Sequence, residues 1–322
     1  MTIKSLLLAG LIGLTTVAGS ISAPIKIGYS DWPGWTAWEI AKTKGLFKKN
    51  GVAVELVWFP IYTDSLNALN TVKLDANCQT WSDTIPPLAE GIPLKVVLVN
   101  DNSFGNDGLI AKTGITSVKD LKGKTVATEL GTCDHFLLLQ ALSKAGMSEK
   151  DVNYKNLTVP DAAAAYIAGK VDAAVVWQPW LYQLEKEKKG TVLFNSANIP
   201  GLIPDLLVFK SDVAKSRATE IQKIVNTWFE VVAYIKSNQD EAVKIMAKVV
   251  EQKPEDYAVF LPGTKFFDLA ANKEAFQKSS DHKSLVGSGN TIAEFLKGLD
   301  QIKKIPDVEA ALEPKFVKAV RK

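Results

Sequence analysis

At 322 residues the chain is long for one ordinary domain and suits two lobes. Its content of 47% hydrophobic and 23% charged residues is that of a globular protein with ample core. A formal net charge of +3 gives no reason to expect nucleic acid as a partner, and only two arginines, Arg217 and Arg321, stand among the 38 basic residues.

The chain starts with Lys4, an apolar stretch over residues 5–19 and the small residues Ser20, Ser22 and Ala23. That order reads as a signal peptide over 1–23, with cleavage near Gly19, Ser22 or Ala23. The apolar run is short for a membrane span. No cysteine precedes Cys78, so a lipid-anchoring cysteine is lacking and the expected product is soluble, periplasmic and monomeric.

Next come a strand at 25–29, a helix at 38–49, a strand at 51–59 and a helix at 63–71. A buried strand follows at 94–100, and another begins at 108–111. A second unit starts near Thr113, with a short helix and turn at 118–124 and a strand at 125–130. Its helix at 134–145 is capped by Thr132 or Asp134, and strands follow at 171–177 and 206–209. Strands separated by helices imply βαβ units and a mainly parallel sheet. Beyond Lys210 the pattern is helical, with apolar residues at helical spacing over 219–237 and 239–250 and further helices to Lys322. The expected division is one lobe from 24–110 and 210–322, with 111–209 inserted as the other and two crossovers as the hinge. Cys78 and Cys133 then fall on different lobes. A disulfide between them would lock the hinge, so two free thiols are expected.

Ligands of open α/β sheets bind beyond the carboxyl ends of the strands. The residues there include Asp31, Trp32, Tyr62, Asp64, Trp81, Asp83, Asn106, Asp107, Glu129, Thr132, Asp134, His135, Trp177, Gln178, Trp180 and Asp205. Seven are carboxylates and none is Lys or Arg. The windows 27–39, 58–70, 77–93, 99–111, 128–143, 172–185 and 195–209 hold no Lys or Arg at all. The expected ligand-binding set is Asp31, Trp32, Trp81, Asp83, Asp107, Glu129, Thr132, Asp134, Trp177 and Asp205. Desolvated like charges repel strongly, so this set opposes an anion. Carboxylates match planar N–H forks, and tryptophan faces attract cations.

Two rival classes fare worse. Cys133 and His135 bring a thiol near an imidazole, but near neighbours on a helix do not face each other, so no enzyme is expected. Two histidines are too few for a His-rich metal centre. No EF-hand loop of Asp, Asn and Gly is present, although calcium beside the solute stays open. No cofactor is expected.

The segments IKIGYSDWPGW, EIAKTKGLFKKNGVAVELVWF, DLKGKTVATELGT, KAGMSEKDV and PDAAAAYIAGKVDAAVVWQPW, in that order, resemble the nitrate/sulfonate/taurine-type ABC transporter binding proteins. The resemblance covers most of residues 25–210. It implies the two-lobed type II periplasmic-binding-protein ("Venus flytrap") fold with a helical C-terminal tail, and a partner permease with its ATPase. The variants DWPGW, QTWSDT, GNDG and ATELGTCDHF resemble a subgroup linked to guanidine or urea utilisation. The expectation is therefore an importer's binding component for a guanidinium-like cation. Urea, a small anion (nitrate, sulfonate or bicarbonate) and a ligand-sensing role are kept as alternatives.

Overall fold

The computed structural model describes residues 23–71, 73–188 and 190–321, so the signal-peptide reading lies almost wholly outside the described residues. Two sheets carry the architecture. The strands, in chain order, are β1 Ile25–Tyr29, β2 Val54–Trp58, β3 Ala76–Thr80, β4 Leu94–Ser103, β5 Asp107–Lys112, β6 Thr125–Thr128, β7 Asn153–Asn156, β8 Ala173–Trp177, β9 Gly190–Asn195, β10 Pro204–Lys210 and β11 Thr264–Phe266. The first sheet runs β11-β4-β10-β3-β1-β2 and the second β7-β6-β8-β5-β9. The chain passes between them twice, at residues 104–106 and 196–203. This is the two-lobed fold with two crossovers.

The sheets are mixed, which corrects the expectation of a mainly parallel one. β1 pairs in parallel with β2 and β3, and β6 with β7 and β8. The strands adjoining the crossovers run against their neighbours: β10 is antiparallel to β3 and β4, and β5 to β8 and β9. A strand that carries the chain out of a sheet and one that brings it back have opposite directions. Pairing them side by side makes the ladder antiparallel.

Two further expectations change. The helix expected over 38–49 is preceded by a turn, Pro33–Thr36, and splits into Trp38–Thr43 and Leu46–Lys49. Gly45 takes φ +66 between the halves, a left-handed conformation that ends the first helix at little steric cost. The tail is not continuously helical. β11 adds an edge strand to the first sheet, and Leu312 bridges to Val96 before the last turn, Lys315–Lys318. The long helix Ala218–Ser237 buries Ile221, Ile224, Val225, Trp228, Val231, Val232 and Ile235 along one stripe, which holds the tail on the first lobe. No described helix is long and apolar enough to cross a membrane.

Candidate functional site

The facing ends of the two sheets enclose a cavity lined by Trp32, Trp35, Tyr62, Thr80, Asp107, Cys133, Trp177 and Asp205. Its free space is ≈ 10 Å³ for the centre of a water-sized sphere, about one water's worth. The gap is therefore shut to anything larger unless the lobes shift.

Three of the expected carboxylates each accept at least one bond from the other lobe. Asp31 accepts from the indole N–H of Trp177 at 2.8 Å and of Trp180 at 2.6 Å. Asp83 accepts from the Ser82 hydroxyl at 2.8 Å and from the backbone N–H of Cys133 at 3.2 Å. Glu129 accepts from the Thr63 hydroxyl at 2.6 Å and from the backbone N–H of Val159, at the start of the helix Val159–Ile167, at 3.2 Å. Burial pushes Asp31 and Asp83 up to about 6, while their hydrogen bonds pull back.

The other acids are left with acceptor capacity to spare. Asp134, on the first turn of the helix Cys133–Lys144, is fully buried and neither of its oxygens has a partner. Asp205 Oδ2 is likewise buried and unpartnered. Asp107 accepts from the Ser103 hydroxyl, and the Cys133 thiol donates to its other oxygen at 3.8 Å. Burial first, and then neighbouring carboxylates, holds Asp107, Asp134 and Asp205 above the usual carboxylate range.

A further carboxylate, Asp101, was missed by sequence reasoning. It stands directly opposite Asp205 in the β4–β10 ladder, and the register shifts between Asp205 and Leu206, skipping Asn100. Bulges of this kind re-aim side chains near sites. Asp101 Oδ1 accepts from the indole N–H of Trp32 at 3.0 Å, whereas its Oδ2 has no partner. A Cβ added to Gly34 would lie 1.7 Å from that Oδ2, so only glycine leaves room for the carboxylate. The available signal was the polar run Asn100–Asp101–Asn102 ending an apolar strand inside a window without basic residues.

The remaining expected residues separate. Trp32 and Trp177 line the cavity. Thr132 is the N-cap residue of Cys133–Lys144, but its hydroxyl donates to the Glu129 carbonyl at 2.8 Å and makes no cap bond. Trp81, expected at the site, is fully buried elsewhere. Its indole donates to the Leu285 carbonyl at 2.9 Å, locking the helix Trp81–Glu90 to Leu285–Gly298. Trp180 and Thr63, outside the expected set, join it through Asp31 and Glu129.

Both cysteines are free and buried. Cys133 and His135 do not pair: the thiol turns to Asp107, and the imidazole sits 3.2 Å from Glu149. Asp107, Cys133 and Asp134 each bring one donor atom within 4.8 Å of the others. Burial and then the surrounding acids push the Cys133 thiol up, which keeps it protonated, whereas metals take the thiolate. Three donors, one of them a thiol, do not make a closed metal set.

The family model described as NMT1/THI5 like matches residues 32–242. A protein of Escherichia coli (strain K12) named for binding aliphatic sulfonates is 29% identical over 268 residues, covering 77% of this chain and 79% of its own. The taurine-binding periplasmic protein of the same strain is 25% identical over 247 residues, 75% of each. The alkanesulfonate-binding protein SsuA of Xanthomonas axonopodis pv. citri, solved with MOPS bound, superposes with a TM-score of 0.78 at 22% identity, over 91% of this chain and 99% of that one. None of these three is named for guanidine or urea, so the subgroup resemblance gains no support from them.

Proposed function

The chain belongs to the NMT1/THI5-like family, and from that premise we propose that it is the periplasmic solute-binding component of an ABC importer. It delivers a small polar solute, enclosed between its lobes, to a permease driven by an ATPase. It works by binding and closure rather than by catalysis.

For the solute, the observation that carries most weight is the surplus of buried acceptors. Asp205, which lines the cavity, keeps an unpartnered oxygen, as do Asp101, bonded to the lining Trp32, and Asp134, next in sequence to the lining Cys133, and the lining includes no Lys, Arg or His. A buried acceptor without a donor is costly, and each added N–H relieves that cost. A small planar cation rich in N–H, such as guanidinium, would supply several donors and a compensating charge at once. The faces of Trp32, Trp35 and Trp177 would add cation–π attraction of about 0.5–2 kcal/mol each.

The relatives' names favour the other reading, a small anion of the sulfonate or taurine kind. One observation supports it here. The helices Tyr62–Asn70, Trp81–Glu90 and Cys133–Lys144 all begin near the cavity without a cap bond from their own N-cap side chains, and helix starts attract anions. Against this, each first turn already carries its own carboxylate, Asp64, Asp83 or Asp134. Those acids meet the helix dipoles before any solute arrives.

A thermal-shift series with millimolar guanidinium, urea, taurine, an alkanesulfonate and nitrate tests the choice. A saturating ligand should add about 2.7 kcal/mol at a hundredfold excess over Kd. Guanidinium is expected to raise the melting temperature and the anions to leave it unchanged. A shift with a sulfonate and none with guanidinium would reverse the assignment of the solute while leaving the importer role in place.

A further inference from the structure

Asp101 and Asp205 face each other across neighbouring antiparallel strands, both buried, each with Oδ2 unpartnered. Two carboxylates are acceptor-only groups when ionised, so nothing but a donor can satisfy the space between them. Among the described residues no other side chain donates to these two oxygens, and each carboxyl is left with the other as its partner. We propose that Asp101 and Asp205 hold one proton between them in the empty cleft and give it up when a cationic solute binds, so that uptake of the solute is an exchange of cation for proton. This rests on the cation reading above.

The surroundings favour such an exchange. The ionisable groups that act on the pair are Asp83 from Trp81–Glu90, Asp107 from β5, Cys78 from β3, Cys133 at the start of its helix, and Tyr257. All are acids. The nearest lysine on an adjoining strand, Lys265 of β11, places its ammonium 5.3 Å from the centre of the Phe104 ring. Lys236 and Lys315, on helices packed against β4, are paired with Asp268 and Glu313. Like charges this close do not both ionise, and the carboxylate pair retains a proton well above the usual range. In the exchange, the O–H bond of the shared acid breaks, the proton passes to water, and a solute N–H takes its place between the oxygens. The site begins with charge −1 and a proton and ends with charge −2 and a bound cation.

The test is calorimetric titration of the whole protein with guanidinium chloride at pH 7, in buffers of different ionisation enthalpy. The slope of observed heat against buffer enthalpy should report release of about one proton per bound guanidinium, and affinity should fall about tenfold per pH unit on acidification. Asp205→Asn puts an amide N–H opposite Asp101 and has no proton to lose. It should fold and bind more weakly, with no buffer dependence and a flat pH profile. Guanidinium binding to the unaltered protein without proton release, or an unchanged release in Asp205→Asn, would overturn the exchange and leave the cation reading standing. No binding of guanidinium to the unaltered protein would remove both.

Discussion

The backbone N–H of Cys133 donates to Asp83 Oδ2 at 3.2 Å, so an acid in the first turn of Trp81–Glu90 meets the first turn of a helix in the other lobe. The N-cap residue of that second helix, Thr132, leaves the helix start uncapped by its own side chain. The cap comes from across the cleft, so any separation of the lobes would break it. With Thr63–Glu129 and the two indole bonds to Asp31, it forms a set of fastenings distinct from the unpartnered oxygens of Asp101, Asp134 and Asp205.

Asp83 should therefore govern affinity through closure. Asp83→Ala removes an acceptor worth about 0.5–1.5 kcal/mol to the closed form. Solute affinity should fall up to about tenfold, with scattering profiles at saturation unchanged. Asp83→Asn keeps an acceptor oxygen and should recover most of the loss. Equal losses in the two variants, measured by calorimetry, would mean that the Asp83 charge itself meets the solute.

Gly34 and Asp101 give a second, steric prediction. The new methyl of Gly34→Ala meets Asp101 Oδ2 at 1.7 Å, and because Trp32 holds the other oxygen the carboxylate cannot simply swing away. Overpacking of this kind costs about 1–3 kcal/mol. Stability from urea denaturation should drop, and solute affinity with it. Adding Asp101→Ala should restore stability relative to Gly34→Ala alone but leave affinity low. A double-mutant cycle with no coupling would show that the two residues do not touch.

Where pattern and chemistry agreed, the fold was legible. The largely apolar runs at 25–29, 94–100 and 171–177 fall on β1, β4 and β8 because strands buried along most of both faces are mainly apolar, with Lys26 and Lys95 near the strand starts as exceptions. β3 was not legible. Ala-Asn-Cys-Gln-Thr looks like loop, yet all five residues are buried, with Asn77 bonded to Ser65 and Gln79 to Thr84. Its side-chain amide donors reach the helices on either side in sequence, while Asn77 Oδ1 stays buried without a partner, and no local pattern announces either. The site was legible in composition, through the windows without basic residues, but not in its division of labour. Whether Asp31, Glu129 or Asp101 has a free oxygen depends on partners far away in sequence. Trp81 misled because its position just after a strand is that of a site residue, whereas its indole points to the tail helix.

The unliganded protein should lose stability as pH rises from about 5 to about 7. Asp31 and Asp83 titrate near 6 when folded, above the ordinary value of about 3.9 for an unfolded chain. Between those values the folded state holds more protons than the unfolded one. The contribution is full below the unfolded value and is lost as pH rises through about 6. Asp120, Asp151 and Asp268 are shifted the opposite way, but they lie at the surface, where solvent screens the effect. The buried His135 imidazole, held below its ordinary value by burial, also opposes the decline, as one group against several raised carboxylates. Melting curves at pH 5, 6 and 7 should show the decline, and Asp31→Asn with Asp83→Asn should lessen it, the remainder coming from Asp101, Asp107, Asp134 and Asp205. A melting temperature that rises over this range would contradict the protonated cleft.

The last prediction separates fastening from scaffold by comparing two tryptophans. Trp180→Phe keeps an aromatic ring but removes the N–H that reaches Asp31 at 2.6 Å, leaving Trp177 as the remaining indole donor. A hydrogen bond to a charged acceptor is worth about 1.5–3 kcal/mol, so solute affinity at pH 7 should weaken roughly tenfold to a hundredfold. With one donor gone, Asp31 is less able to hold its charge, and its titration should move above about 6. At pH 5 Asp31 is largely protonated in either protein, the lost bond is a weaker neutral one, and the gap in affinity should narrow. Trp81→Phe removes an N–H of the same kind from the Leu285 carbonyl, inside the first lobe and away from the cavity. Its cost should appear as lower unfolding stability, with affinity nearly intact at both pH values. If the two variants exchanged these patterns, Trp81 rather than Trp180 would belong to the site, and the expectation drawn from its place after β3 would have been correct.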